Sequence, residues 1–164
     1  PKPDIYKLNT DGTHSLVSNK NGIGGIIRDH KGNWILGFSR KILSQSPIAT
    51  EIFAILQGLT FVVQHNLTPL QVEIDAKEVR RLLHDNNIVY ANLLNACRHL
   101  LRQLHDPVVS HAYREQNRLA DQLAKSGSFL EGNSIMQIFD KPPLFVGRIW
   151  DEDKRGVSTT RLLP

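Results

Sequence analysis

A chain of 164 residues with 40% apolar and 22% charged residues is long enough for one domain with a real core. No window holds the roughly 18 uninterrupted apolar residues of a membrane span, and a single cysteine, Cys97, excludes an internal disulfide framework. A net charge of +4 suits a polyanionic partner without requiring one.

These features lead to the expectation of a soluble, monomeric, intracellular protein of the nucleus or cytoplasm, with no membrane partner. The start, Pro1-Lys2-Pro3-Asp4, has neither a signal-peptide pattern nor an initiator Met, as expected for part of a longer polypeptide. Residues 5–10 predict a strand running into Asp11-Gly12. Residues 23–29 and 33–39 flank His30-Lys31-Gly32 and predict a hairpin. Ser46-Pro47 offers a helix cap with Pro at the first helical position, and Ala49–Gln64 carries helical apolar spacing. Leu70–Ile74 predicts a strand ending at Asp75, and Asp75-Ala76-Lys77-Glu78 resembles a capping box opening a helix to Leu83. An amphipathic helix is expected over Tyr90–Leu104, with Cys97 on its apolar face. Pro107–Ser110 predicts a short strand delivering His111, and Glu115–Lys125 a helix closed by a left-handed Gly127.

The order βββ, α, β, α, α, β, α implies an α/β fold with a mixed sheet covered by helices. Residues 1–127 are expected to form the domain. Residues 128–164 are expected to form an extended tail, ordered in part by Phe139, Leu144, Phe145 and Trp150. Gly22, Gly24 and Gly25 lie inside a strand pattern, where they favour close packing or a bulge over a phosphate loop.

Four carboxylates sit where surface charge is not expected. Asp11 follows the first strand and also suits a turn. Glu51 heads the stripe Ile55, Gly58 and Val62, and a role toward the helix dipole explains its position but not its inward face. Asp75 ends a strand and doubles as a cap. Asp121 is a poor mid-helix residue, on one side with Asn117, Ala120 and Ala124. Strand ends and inward helix faces converge in a mixed sheet, and four unpaired carboxylates there repel one another unless a divalent cation intervenes. Oxygen-only ligation suits magnesium or manganese.

The segments Lys7–Gly12, Gly22–Asp29, Ala49–Ala54, Val72–Asp75 and His111–Ala124 resemble type 1 ribonuclease H. The nearest likeness is to plant ribonuclease-H-like domains related to retroelement reverse transcriptases, and Gly156-Val157-Ser158 through Arg161 also looks like that group. The resemblance implies a five-stranded mixed sheet and a metal quartet of Asp11, Glu51, Asp75 and Asp121. It implies two magnesium ions about 4 Å apart, replaceable by manganese, and hydrolysis of the RNA strand of RNA–DNA hybrids. It maps His111 onto a mobile catalytic histidine and leaves Gly12, Thr13, Lys77 and Asn117 as candidate substrate contacts, with His14 and Arg114 beside them.

The chain departs from the family where substrate is read. Ser46-Pro47-Ile48 lacks the paired asparagines, Lys77 replaces a glutamine, and Val17 stands where an asparagine is expected, although Asn19 and Asn21 are near. Residues 84–96 hold no Lys or Arg for a basic handle. The alternative is therefore a catalytically weak or inactive nucleic-acid-binding module on the same fold.

Overall fold

Strand alternation sorts the side chains of the sheet into two faces, and Asp11 and Asp75 share one of them. The computed structural model describes residues 4–155, apart from 16, 19, 45, 86, 87, 132–134 and the side chains of Glu115 and Gln116. Strands β1 (Tyr6–Thr13), β2 (Gly22–Arg28) and β3 (Trp34–Lys41) form an antiparallel meander. Helix α1 (Pro47–Gln64) leads to β4 (Leu70–Ile74), which pairs parallel to β1. Helices α2 (Lys77–His84) and α3 (Ala91–Gln103) precede β5 (Val109–His111), parallel to β4. A 3-10 turn over Arg114–Asn117 runs into α4 (Arg118–Ser128).

The expected five strands become six. Met136–Phe139 forms β6, antiparallel to β3, and the sheet order is β5-β4-β1-β2-β3-β6. A 3-10 turn at Leu144–Val146 leads into α5 (Gly147–Lys154). The stretch 128–155, read as extended tail, thus contains a paired strand and a helix; Gly156–Arg161 and Asn19 lie outside the described residues.

Helix α1 covers one face of the sheet. Leu8, Ile23, Ile27, Val72 and Ile74 meet Ile52, Ile55, Leu59 and Val62 there, all at most 1% exposed. By length and composition α1 could also cross a membrane, although Thr50, Glu51, Gln57 and Thr60 interrupt its apolar run. Its start follows the expected signal: the Ser46 hydroxyl accepts from the Ala49 amide at 3.0 Å and Pro47 is the first helical residue.

The opposite phase of the strands faces α4. A Cβ at Gly24 would stand 2.3 Å from the Ala124 nitrogen, and one at Gly22 would stand 2.3 Å from the Ala124 carbonyl oxygen. These glycines exist for close helix approach. Gly127 belongs to the same seam. It lies within α4 rather than capping it in a left-handed turn, and its missing Cβ would meet the backbone of Arg40 at 2.7 Å. The cap position falls to Phe129.

Between α2 and α3, Arg98 adds to the C-terminal cap of α2, where the Asp85 amide already donates to the Leu82 carbonyl at 3.3 Å. Its guanidinium donates to the carbonyls of Leu83 at 2.9 Å and Leu82 at 2.8 Å, and to that of Asp85.

Candidate metal centre

Residues Asn9 and Asp11 on β1 and Glu73 and Asp75 on or just past β4 are two apart, so they point to the α4 face of the sheet. Asp11 lies inside β1, opposite Gly24, and not after the strand; it is 5% exposed. The Gly12 amide donates to its Oδ1 at 2.9 Å. Gly12 also lets β1 pass beneath the first turns of α1, since a Cβ there would lie 2.8 Å from Thr50 Cγ2 and 3.1 Å from the Glu51 nitrogen. That crossing brings Glu51 onto Asp11. No acidic residue lies in the first turn of α1, so Glu51 is not there to offset the helix dipole.

Asp75 is released from the capping role expected of it. Ala76 is the cap residue of α2 and makes no side-chain cap bond, while Glu78 supplies the acid of the first turn. Ligand oxygens of Asp11, Glu51 and Asp75 all lie within 4.8 Å of one another. Burial and then the Asp75 charge push the Asp11 carboxyl up to about 7. Burial and then Asp11 hold Glu51 well above the carboxylate range, and the two share a hydrogen bond. Burial also raises Asp75, opposed by the cation of Arg114. Burial thus favours the protonated form of all three carboxyls, and a divalent cation can take the place of those protons. An all-oxygen donor set of this kind fits magnesium or manganese.

Asp121 is placed differently. It occupies the first turn of α4, not mid-helix, because the chain before Arg118 is 3-10. It lines the same open cavity of roughly 700 Å³ but ion-pairs with Lys125 at 3.0 Å, outside the close trio. His111 also lines the cavity. Its Nε2 lies 3.1 Å from the Asp75 carbonyl oxygen, which only accepts, so Nε2 is the donor of that bond.

Gly12, Lys77 and Arg114 line the cavity. Thr13 pairs with Gly22 at the strand end, and both ring nitrogens of His14 are buried without a hydrogen-bond partner. Asn117, expected among the substrate contacts, is 1% exposed and turned inward, donating to the Thr10 carbonyl at 3.0 Å. The sequence reading missed Lys125 and Tyr113 on the rim; Tyr113 packs edge-on against His111 at 5.1 Å. The i, i+4 spacing of Asp121 and Lys125 was the available signal for the first.

The profile of the family described as reverse transcriptase-like matches residues 9–127, a span that holds all four carboxylates and His111. The chain belongs to the reverse transcriptase-like family. A relative in Arabidopsis thaliana, named "Putative ribonuclease H protein", is 28% identical over 158 residues. That match covers 94% of this chain and 25% of the relative, so the chain spans about a quarter of it. Among solved structures, RNase H1 of the archaeon Halobacterium salinarum superposes with a TM-score of 0.69 at 19% identity, over 74% of this chain and 96% of that one. LC11-RNase H1, solved in complex with an RNA/DNA hybrid, gives 0.65 at 22% identity, over 74% and 94%. These likenesses show that this family member has the ribonuclease H fold.

Proposed function

We propose that this chain is a divalent-metal-dependent endonuclease that cuts the RNA strand of RNA–DNA hybrids. The observation carrying this reading is the meeting of Asp11, Glu51 and Asp75 oxygens within 4.8 Å in an open cavity rimmed by Lys77 and Arg114. Magnesium or manganese is the fitting ion, with Asp11 and Asp75 as central ligands, Glu51 on one ion and Asp121 on a second. When bound, such ions neutralise charge at the scissile phosphate and make a water acidic enough to attack it. Lys77 and Arg114 are placed to hold phosphates of the strand and so fix its register without reading bases. His111, its Nε2 held by the Asp75 carbonyl and its Nδ1 outside that bond, is the group to take up and return a proton at the leaving 3′ oxygen.

A second reading, a nucleic-acid-binding module with little catalysis, is favoured by two specific contacts. Asp121 is already neutralised by Lys125, and the Ser46 hydroxyl is committed to capping α1 where relatives of the type offer asparagines. Incubation of a labelled hybrid with magnesium, manganese or chelator, beside Asp75→Asn, separates the two. Duplex DNA, duplex RNA and single-stranded RNA serve as controls. Metal-dependent loss of the RNA strand, abolished in the variant, is the expected result. Binding without cutting establishes the module instead, and neither binding nor cutting overturns both.

A further inference from the structure

Residues beyond 127 lie outside the matched family region, yet α5 is wired to the metal centre from behind. Asp153 stands 3.7 Å from the Arg28 guanidinium, with side chains only 17% and 15% exposed. Arg28 donates to Oδ1 of Asn9 at 2.9 Å. Asn9, two residues before Asp11 on the same face of β1, is 1% exposed. Its Nδ2 donates to Glu73 at 3.1 Å and reaches Oδ1 of Asn117 at 3.4 Å. Asn117 in turn donates to the Thr10 carbonyl at 3.0 Å, one residue before Asp11, and its side-chain amide lies close enough to the Asp75 carboxylate to favour the charged form. A second arm joins Glu152 to Arg118 at 2.8 Å, at the first residue of α4 and one turn before Asp121.

Apolar contacts alone would seat this segment: Val146 is fully buried with Ile26, Leu119 and Leu123, and Trp150 meets Trp34 edge-on at 5.6 Å. The charged contacts do something else. Arg28 is largely out of water, and Asp153 and Glu73 are the acids that support its charge. Glu73 also pairs with Lys7 at 3.0 Å. Without Asp153, the guanidinium is drawn toward Glu73 and no longer fixes which way the Asn9 amide points. An amide with two committed sides passes that disturbance to Asn117.

We propose that Asp153, acting through Arg28 and Asn9, is a positioning residue that sets Asn117 and thereby the Asp75 carboxylate and the start of α4. This rests on the metal-site reading above. The test follows the side-chain amides of Asn9 and Asn117 and the backbone amides of Asp75 and Asp121 by NMR in the metal-free chain, then magnesium affinity by calorimetry. Asp153→Asn is expected to shift all four and weaken magnesium binding about three- to tenfold, less than the loss of a direct outer-shell partner because Asp153 stands three contacts further out. Asp153→Glu restores most of both, and Asp151→Asn, exposed on the same helix, moves neither. Should Asp153→Asn not fold, Arg28→Lys carries the same expectation, because it keeps the charge but not the fork. A lowered melting temperature with wild-type amide positions and affinity overturns the proposal and makes α5 a cover only. If the wild-type chain binds no magnesium, the metal-site reading fails, while the amides still decide the coupling.

Discussion

Raising the pH of the metal-free protein from 5 to 8 is expected to destabilise it, and the buried carboxyl groups of Asp11, Glu51 and Asp75 are the cause. The Asp11 carboxyl is raised from 3.8 to about 7 by burial and the neighbouring Asp75 charge. Glu51 and Asp75 are raised in the same direction. A carboxyl raised on folding binds its proton in the native state after the unfolded chain has released it, so stability falls as pH rises between the two values. Across the two units from pH 5 to 7, one such proton corresponds to about 3 kcal/mol. For a chain of this size that is a fall of about 6–12 °C in Tm. Asp29 and Glu152 are shifted downward, so their contributions change below the normal carboxylate range and outside this window. Magnesium at a hundredfold excess over its Kd restores about 2.7 kcal/mol at pH 8 and much less at pH 5, where protons compete for the same oxygens. Asp11→Asn flattens the slope and, in chelator at pH 8, melts above the wild-type protein. Melting temperatures that stay level or rise from pH 5 to 8 in chelator would refute this reasoning.

Gly24→Ala forces a methyl to within 2.3 Å of the α4 backbone and is expected to cost about 3 kcal/mol or prevent folding, as read by urea denaturation. Gly147→Ala, with nothing within 4 Å and an ordinary helical φ, is expected to be neutral or to stabilise by up to about 1 kcal/mol in the same assay. Arg98→Met keeps the apolar stem but removes the guanidinium donors from the Leu82 and Leu83 carbonyls at the end of α2, for a loss of about 2 kcal/mol in denaturation midpoint analysis. Lys125→Met changes stability by less than about 0.5 kcal/mol because the pair is exposed, yet frees Asp121 and raises magnesium affinity about twofold by calorimetry; weaker binding counts against that role.

Most of the architecture was legible because periodicity is a local property. The hairpin of β2 and β3, the Ser46 cap and the short strand before Asp75 each announce themselves within a few residues. Legibility ended where neighbours distant in sequence decide the outcome. Gly127 reads as a helix stop until Arg40 is seen against it. Asp75 reads as a cap until Ala76 takes the position. Strand β6 has four residues on an exposed edge, three of them exposed, so no buried face imprinted a period-two pattern. Asp11, Glu51 and Asp75 come together, but Asp11 does so from inside β1 and not from the strand end expected of it, and the pairing of Asp121 with Lys125 needed the register of α4. Burial of Asn117 and Arg28 has no signature in the sequence, because both residue types are ordinarily exposed.

The glycine seam beneath α4 acts as a depth gauge. With Gly22, Gly24 and Gly127 in place, helix backbone rests directly on strand backbone, and the standoff of Asp121 from Asp11 is set by two chains in contact, with no compressible side chain between them. A saturation screen for loss of activity would therefore return hits on β2 that carry no functional group at all. Under the proposed function their effect would resemble that of removing Asp121, since lifting the helix by one methyl radius carries that carboxylate away from Asp11.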